Sequence, residues 1–155
     1  MFHVVLVEPE IPQNTGNIAR TCAATGTKLH LVRPLGFRID EKAVRRAGLD
    51  YWKYVDLEVH DSLEEFLNSA AGHRLILATT RAGQSYTELR YIDGDMLLFG
   101  RETAGLPQEL IDAHWQTAVR IPTSADTRLR SLNLSNSVGI ILYEALRQQG
   151  FPELK

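Results

Sequence analysis

Apolar positions along the chain fall into short, unbroken runs separated by longer amphipathic or polar stretches. Residues 2–7 (F-H-V-V-L-V), 28–32 (K-L-H-L-V), 74–80 (R-L-I-L-A-T-T), 96–99 (M-L-L-F) and 118–121 (A-V-R-I) are largely apolar at consecutive positions. That is what a strand covered on both faces requires. Residues 54–60 (Y-V-D-L-E-V-H) alternate, which predicts a half-covered strand. The stretches between read as helices. Residues 15–25 put Ile18, Cys22 and Ala23 inward, with Gly26 as a C-terminal stop. A short basic helix over 41–47 ends at Gly48, and 61–68 carries Ser62 and Glu65 at capping-box spacing. Residues 108–113 form another short helix, whereas 81–95 read as polar and irregular. Near the end, a polar loop, S-L-N-L-S-N at 131–136, opens onto a helix for which Ser135 or Asn136 is the expected N-cap. There Val138, Ile141, Leu142, Ala145 and Leu146 keep helical spacing, and Ile140 and Tyr143 widen the stripe, so the helix should be covered on more than one side. Strands alternating with helices predict an α/β fold, a mostly parallel sheet flanked by helices, in a single domain over 1–155.

Composition bounds this picture. The chain has 155 residues, 44% hydrophobic and 23% charged, enough for one domain with a real core. No apolar run approaches the roughly 20 residues that span a bilayer. The opening M-F-H-V-V-L-V-E-P-E lacks the basic start and cleavage site of a signal peptide. The single Cys22 leaves no internal disulfide and fits a reducing compartment. The expected location is the cytoplasm, away from membranes. A net charge of −2 and a pI near 6.2 argue against holding a polyanion by bulk charge and direct attention to local patches. The densest basic run is Arg33, Arg38, Lys42, Arg45 and Arg46, diluted by Asp40 and Glu41. It fits a solvated helix face or a phosphate-binding patch.

Several chemistries are missing. The first strand-to-helix turn, E-P-E-I-P-Q-N-T-G-N, has one glycine and is not a dinucleotide fingerprint. There is no phosphate-binding G-x-x-x-x-G-K-[ST] and no G-x-S-x-G nucleophile elbow. The five histidines, His3, His30, His60, His73 and His114, are far apart in sequence, so no metal site is expected. Asp93 and Asp95 flank Gly94 and read as solvated turn carboxylates.

Three loops remain, each following or leading from an apolar strand: N-T-G-N-I-A-R at 14–20, L-F-G-R-E-T-A-G-L-P at 98–107, and S-L-N-L-S-N at 131–136. Ligands in open parallel sheets bind at the carboxyl ends of strands. Alone, each loop reads equally well as helix caps and glycine turns. In this order and spacing they resemble the three motifs of the SPOUT class of S-adenosylmethionine-dependent RNA methyltransferases. The opening V-E-P-E-I-P-Q-N-T-G-N, the block R-R-A-G-L-D-Y at 45–51 and the ending Y-E-A-L-R-Q-Q-G-F-P resemble one branch, the TrmL/YibK-like tRNA (cytidine/uridine-34)-2′-O-methyltransferases. The resemblance covers essentially the whole chain.

That resemblance implies a C-terminal trefoil knot, which no periodicity reveals and which base rates disfavour. It implies S-adenosylmethionine as cofactor, in a pocket lined by Leu77, Ala78, Thr79, Gly100, Glu102, Ile121, Ser131, Leu132 and Asn133. It implies methylation of the ribose 2′-OH at the wobble nucleotide of tRNA, with a leucine isoacceptor expected. Another RNA position, or a non-catalytic cofactor-binding RNA-binding protein, are the alternatives. Arg20 and Asn14 match the catalytic pair of the first motif. A guanidinium is a poor base at neutral pH, so Arg20 is expected to hold the hydroxyl in line and stabilise developing charge, with a base role left open. Arg45, Arg46, Arg128 and Arg130 are the expected tRNA contacts, and Tyr143 the expected residue of a homodimer interface. The loop between Pro122 and Asn133 departs from the family pattern by being longer, so the family's arginine there matches either Arg128 or Arg130.

Overall fold

The computed structural model describes residues 1–40, 42, 46, 52–126, 128, 129 and 131–155. Among the described residues seven strands form one sheet: β1 (His3–Val7), β2 (Lys28–Val32), β3 (Leu57–His60), β4 (Leu75–Ala78), β5 (Gln84–Ser85), β6 (Met96–Phe99) and β7 (Ala118–Arg120). Their order is β3-β2-β1-β6-β4-β7-β5, and all six neighbouring pairs are parallel. The α-helices bounded within the described residues are α1 (Pro12–Thr25), α2 (Leu63–Ser69), α3 (Gln108–Ala113) and α4 (Leu134–Gln148).

Successive side chains of a strand point to opposite faces, so a two-sided core needs apolar residues at both parities. Val4, Leu6, Leu29, Leu31, Leu97 and Phe99 join Ile18 and Cys22 of α1 and Val138, Ile141 and Leu142 of α4 in one core cluster. Val5, Val7, Val32, Leu75, Leu77 and Leu98 pack with Phe66 of α2 and Leu110 and Ile111 of α3 in the other. Burial pushes the Cys22 thiol up to about 12.

Helix starts differ most from the sequence reading. α1 begins at Pro12, three residues before the expected start, and places Asn14 inside its first turn. Proline suits the first helical position because its missing N–H would have no intrahelical acceptor. Gly26 ends the helix as expected, at φ +65°, donating its N–H to the Cys22 carbonyl. α2 has its expected cap: Ser62 Oγ accepts from Glu65 N at 3.1 Å. Glu65 reaches back to Asp61 N at 3.3 Å, one residue upstream of the cap. α4 is capped by Asn133, not by Ser135 or Asn136; its Oδ1 accepts from Ser135 N at 2.9 Å and Ser135 Oγ at 2.6 Å. On α4, Tyr143 is exposed and Ile140 half-buried.

The expected strand over 54–60 shortens to β3, preceded by a single 3₁₀ turn at Trp52–Tyr54. The expected helix over 41–47 falls mostly outside the described residues; Lys42 and Arg46 are helical and exposed. The 81–95 stretch contains β5 and is well anchored. Tyr91 is fully buried and donates its hydroxyl to the Tyr86 carbonyl at 2.7 Å. Asp95 is 1% exposed rather than solvated, and the Arg74 fork grips it at 2.8 and 2.6 Å. Asp93 is the exposed one, paired with the chain's amino terminus.

The histidines are not scattered in space. Three parallel strands bring His3, His30 and His60 to the α2 face of the sheet. There His3 Nδ1 meets His30 Nε2, and His30 Nδ1 meets His60 Nε2, each at 2.9 Å. Burial first, then the neighbouring imidazoles, lower His30 to about 4, so it is neutral at pH 7.

Candidate active site

β1 is flanked by β2 on one side and β6 on the other, so strand order reverses at β1 while all strands stay parallel. Ligands of open parallel sheets lodge where strand order reverses, beyond the carboxyl ends. A cleft of about 650 Å³ opens there, over the ends of β4, β6 and β7. Register brings those ends together: Ala78 lies opposite both Phe99 and Val119.

The loop after β6 forms one wall and is folded tightly on itself. Gly105 N donates to the Arg101 carbonyl at 2.8 Å, and Gly105 sits at φ +70°. A Cβ on Gly100 would lie 2.1 Å from the Gly105 carbonyl carbon and 2.2 Å from Leu106 N, so only glycine fits this approach. Arg81, just past β4, braces the loop by donating to the Leu106 carbonyl and to Gln108 Oε1, both at 2.7 Å.

Glu102 ties this loop to α1. Its carboxylate accepts from Glu10 N and Ile11 N at 2.8 Å each, and from Asn14 Nδ2 at 3.2 Å. Ile11 occupies the N-cap position of α1 and has no capping side chain of its own. Glu102 instead satisfies the N–H of that N-cap residue from 91 residues away and sets a carboxylate at the helix's positive end. Glu10 reciprocates, accepting from Thr103 N at 3.1 Å and Thr103 Oγ1 at 2.7 Å. Those bonds hold the Glu10 carboxyl below its ordinary value.

Of the expected pocket residues, Ala78, Thr79, Gly100, Glu102, Ile121, Ser131, Leu132 and Asn133 line the cleft. Leu77 does not; it faces the α2 and α3 side and is fully buried in that core. Asn14 lines the cleft and is 4% exposed. Arg20 is exposed and is not on the wall. It stands six residues past Asn14, about 9 Å further along the helix axis. Arg128 is exposed and forks onto Asp126 at 2.6 and 2.9 Å. Each holds the other charged, lowering the Asp126 carboxyl and raising Arg128. Arg45 and Arg130 lie outside the described residues, and Arg46 is exposed. In the basic run, Arg33 pairs with Asp61 and Arg38 with Asp40, both at 3.2 Å. Exposed pairs of this kind are worth little and can yield to a phosphate.

Sequence reasoning missed Thr80, Arg81, Arg101 and Thr103, which also line the cleft. Extending the strand-end rule to the third residue past β4 would have found Arg81. The walls mix apolar surface from Phe99, Val119, Ile121, Leu132 and Ile141 with hydroxyl, amide and backbone groups. That mixture suits a small organic cofactor with an aromatic base and a polar tail.

The sequence profile of the SpoU rRNA Methylase family matches residues 1–143. The chain belongs to the SpoU rRNA methylase family. Among its relatives, the tRNA (cytidine(34)-2'-O)-methyltransferase of Yersinia pestis is 48% identical, over 98% of this chain and 96% of that protein. The protein of the same name from Methylovorus glucosotrophus (strain SIP3-4) is 47% identical, over 97% of each. A solved structure presented as "Structural insights into the 2-OH methylation of C/U34 on tRNA" aligns with a TM-score of 0.92 at 48% identity, over 97% of each chain. The SpoU methyltransferase AviRb from Streptomyces viridochromogenes, solved in complex with the cofactor AdoMet, aligns at 0.81 and 25% identity, over 95% of this chain and 60% of that one. In this SpoU family member the cleft, the Gly100–Leu106 contact and the Glu102 tie lie together.

Proposed function

We propose that this chain is a tRNA (cytidine(34)/uridine(34)-2′-O)-methyltransferase that uses S-adenosylmethionine. The observation that carries the proposal is near-full-length identity of about half with relatives named tRNA (cytidine(34)-2'-O)-methyltransferase, on a fold whose cleft at the strand ends has the required mixed lining. S-adenosylmethionine supplies a methyl group on a sulfonium, ready for transfer to a nucleophilic oxygen. Backbone groups around Thr79, Gly100 and Ile121 would read the adenine edge. Leu132, 42% exposed on the rim, would close over the apolar part of the cofactor. Asn133 fixes the start of α4 and thereby the position of Ser131 and Leu132 beside the cleft.

For the 2′-OH to attack, it must be held in line and its proton must leave. Arg20 is the group we assign to the ribose and its phosphate, as a donor that orients the hydroxyl and offsets developing negative charge. Asn14, held by Glu102, fixes the opposite side of the reacting groups. Arg20 reaches them in a homodimer. α1 packs on α4, so Arg20 shares the outer surface of that layer with the exposed Tyr143, whose ring lies 6.5 Å from that of Phe151. A second copy docked there, through apolar surface a monomer would otherwise expose, would put Arg20 at the junction. Arg46 and Arg128, with Arg45 and Arg130, are the proposed phosphate contacts. The 155 residues act as a single domain, whose C-terminal segment we propose forms a trefoil knot. No helix of the described residues is long and apolar enough to cross a membrane, in keeping with a cytoplasmic enzyme.

The experiment is methyl transfer from labelled S-adenosylmethionine to bulk tRNA, followed by nucleoside mapping. Label at the 2′-O of position 34 is expected. Label elsewhere would move the site to another RNA position, and tight cofactor binding with no transfer would leave a non-catalytic RNA-binding protein.

A further inference from the structure

We propose that His30, His60 and Glu58 form a site for a divalent transition metal, with Zn²⁺ the ion their donor set selects. The three residues come from two neighbouring strands, β2 and β3, on the face covered by α2. Register places His30 opposite Glu58 and Val32 opposite His60, so the three side chains project to one side as a triangle. One donor atom from each lies within 4.8 Å of the others. His30 Nδ1 is 2.9 Å from His60 Nε2 and 3.7 Å from Glu58 Oε2.

In a tetrahedral zinc site, ligands about 2.0–2.2 Å from the ion stand roughly 3.3–3.5 Å apart. The observed separations bracket that value. Metal entry requires the two nitrogens to part by about half an ångström and exchanges one shared proton for the ion. Two imidazoles and one carboxylate are a borderline donor set that suits zinc better than calcium or magnesium.

The surroundings are built as a ligand shell. His30 must present a lone pair at Nδ1 and therefore keep its proton on Nε2. That proton faces His3 Nδ1 at 2.9 Å, an acceptor that fixes the tautomer. The edges of both ligand rings meet Phe66, at 5.8 and 5.1 Å between centroids, which limits their rotation. His30 and His60 are 3% and 2% exposed, but Glu58 is open to solvent. It gives the ion a path in and leaves room for water as a fourth ligand. Glu58 also holds Lys28 Nζ at 3.0 Å, an exposed pair that can loosen when the carboxylate turns to the metal. None of these residues lines the cleft, so the ion would pin β2 to β3 without taking part in methyl transfer.

The test uses the untagged full-length chain, stripped with a chelator and titrated with Zn²⁺ alone by calorimetry, and with Co²⁺ by absorbance. One zinc per chain is expected, with a rise in melting temperature and a four-coordinate Co²⁺ spectrum that zinc displaces. Glu58→Gln should weaken zinc affinity at least about tenfold while leaving methyl transfer unchanged, and His60→Asn should abolish the melting shift. His3→Gln should weaken affinity about tenfold, as outer partners of ligating histidines do. Absence of saturable zinc binding by the wild-type chain overturns the proposal. So does binding of equal strength in wild type and Glu58→Gln, a comparison that stands even if His60→Asn fails to fold.

Discussion

Removing the Glu102 carboxylate should loosen both the cleft wall and the start of α1. In Glu102→Ala, the N–H groups of Glu10 and Ile11 and the amide of Asn14 lose an acceptor now 2.8, 2.8 and 3.2 Å away. Hydrogen bonds to a charged partner are worth about 1.5–3 kcal/mol each, but the Ile11 N–H can turn to water, so the sum is discounted. Loss of the helix cap is already contained in that sum. A net cost of about 2–4 kcal/mol is expected. The functional loss should exceed it. Asn14 sits one turn into the freed helix start, and a displacement of about 1 Å at a reacting centre can cost about a hundredfold in rate. Glu102→Gln should be intermediate, because its amide places a donor against a donor. Thermal melts, calorimetric affinity for S-adenosylmethionine and single-turnover methylation check these in parallel. If Glu102→Ala melts like wild type and keeps its affinity and rate, Glu102 is not the tie that positions the site.

Gly100→Ala puts a Cβ where the Gly105 carbonyl carbon is 2.1 Å away, against ordinary contact near 3.4 Å, so the 100–107 wall must move by more than an ångström. A stability loss of about 1–3 kcal/mol and a roughly hundredfold fall in methylation are expected from melts and initial rates. Arg20→Ala should abolish turnover while cofactor affinity survives, because Arg20 is exposed and off the cleft wall; loss of both in calorimetry and rate assays would make Arg20 structural. Cys22, fully buried with its thiol near 12, should resist iodoacetamide at pH 8 in the native chain and react at once in denaturant. Rapid native labelling, read by intact mass, would contradict the packing of α1.

What the sequence made legible follows from where the physics is local. β2, β6 and α3 come out at their observed bounds, because an apolar run at both parities, or a short turn after a proline, needs no distant partner. Helix starts were misread where the cap is remote or competes locally. The start of α1 is held by Glu102, far along the chain, through the Ile11 N–H, and Asn133 outcompetes Ser135 because its longer side chain reaches both Ser135 N and Ser135 Oγ. The three linked histidines were invisible for the same reason: spacing along one strand cannot report neighbours on the next. Asp95 looked like a turn residue until Arg74 was found beside it. Most of the cleft wall was legible through resemblance of motifs, whereas Arg101 needed the folded loop.

The most direct test of the central claim is single-turnover methyl transfer to two tRNAs that differ only in the ribose at position 34. The all-ribose substrate should accept one methyl per molecule, mapped to the 2′-O of that nucleotide, and the 2′-deoxy-34 substrate should accept none. Equal incorporation into both would contradict 2′-O-methylation at the wobble position.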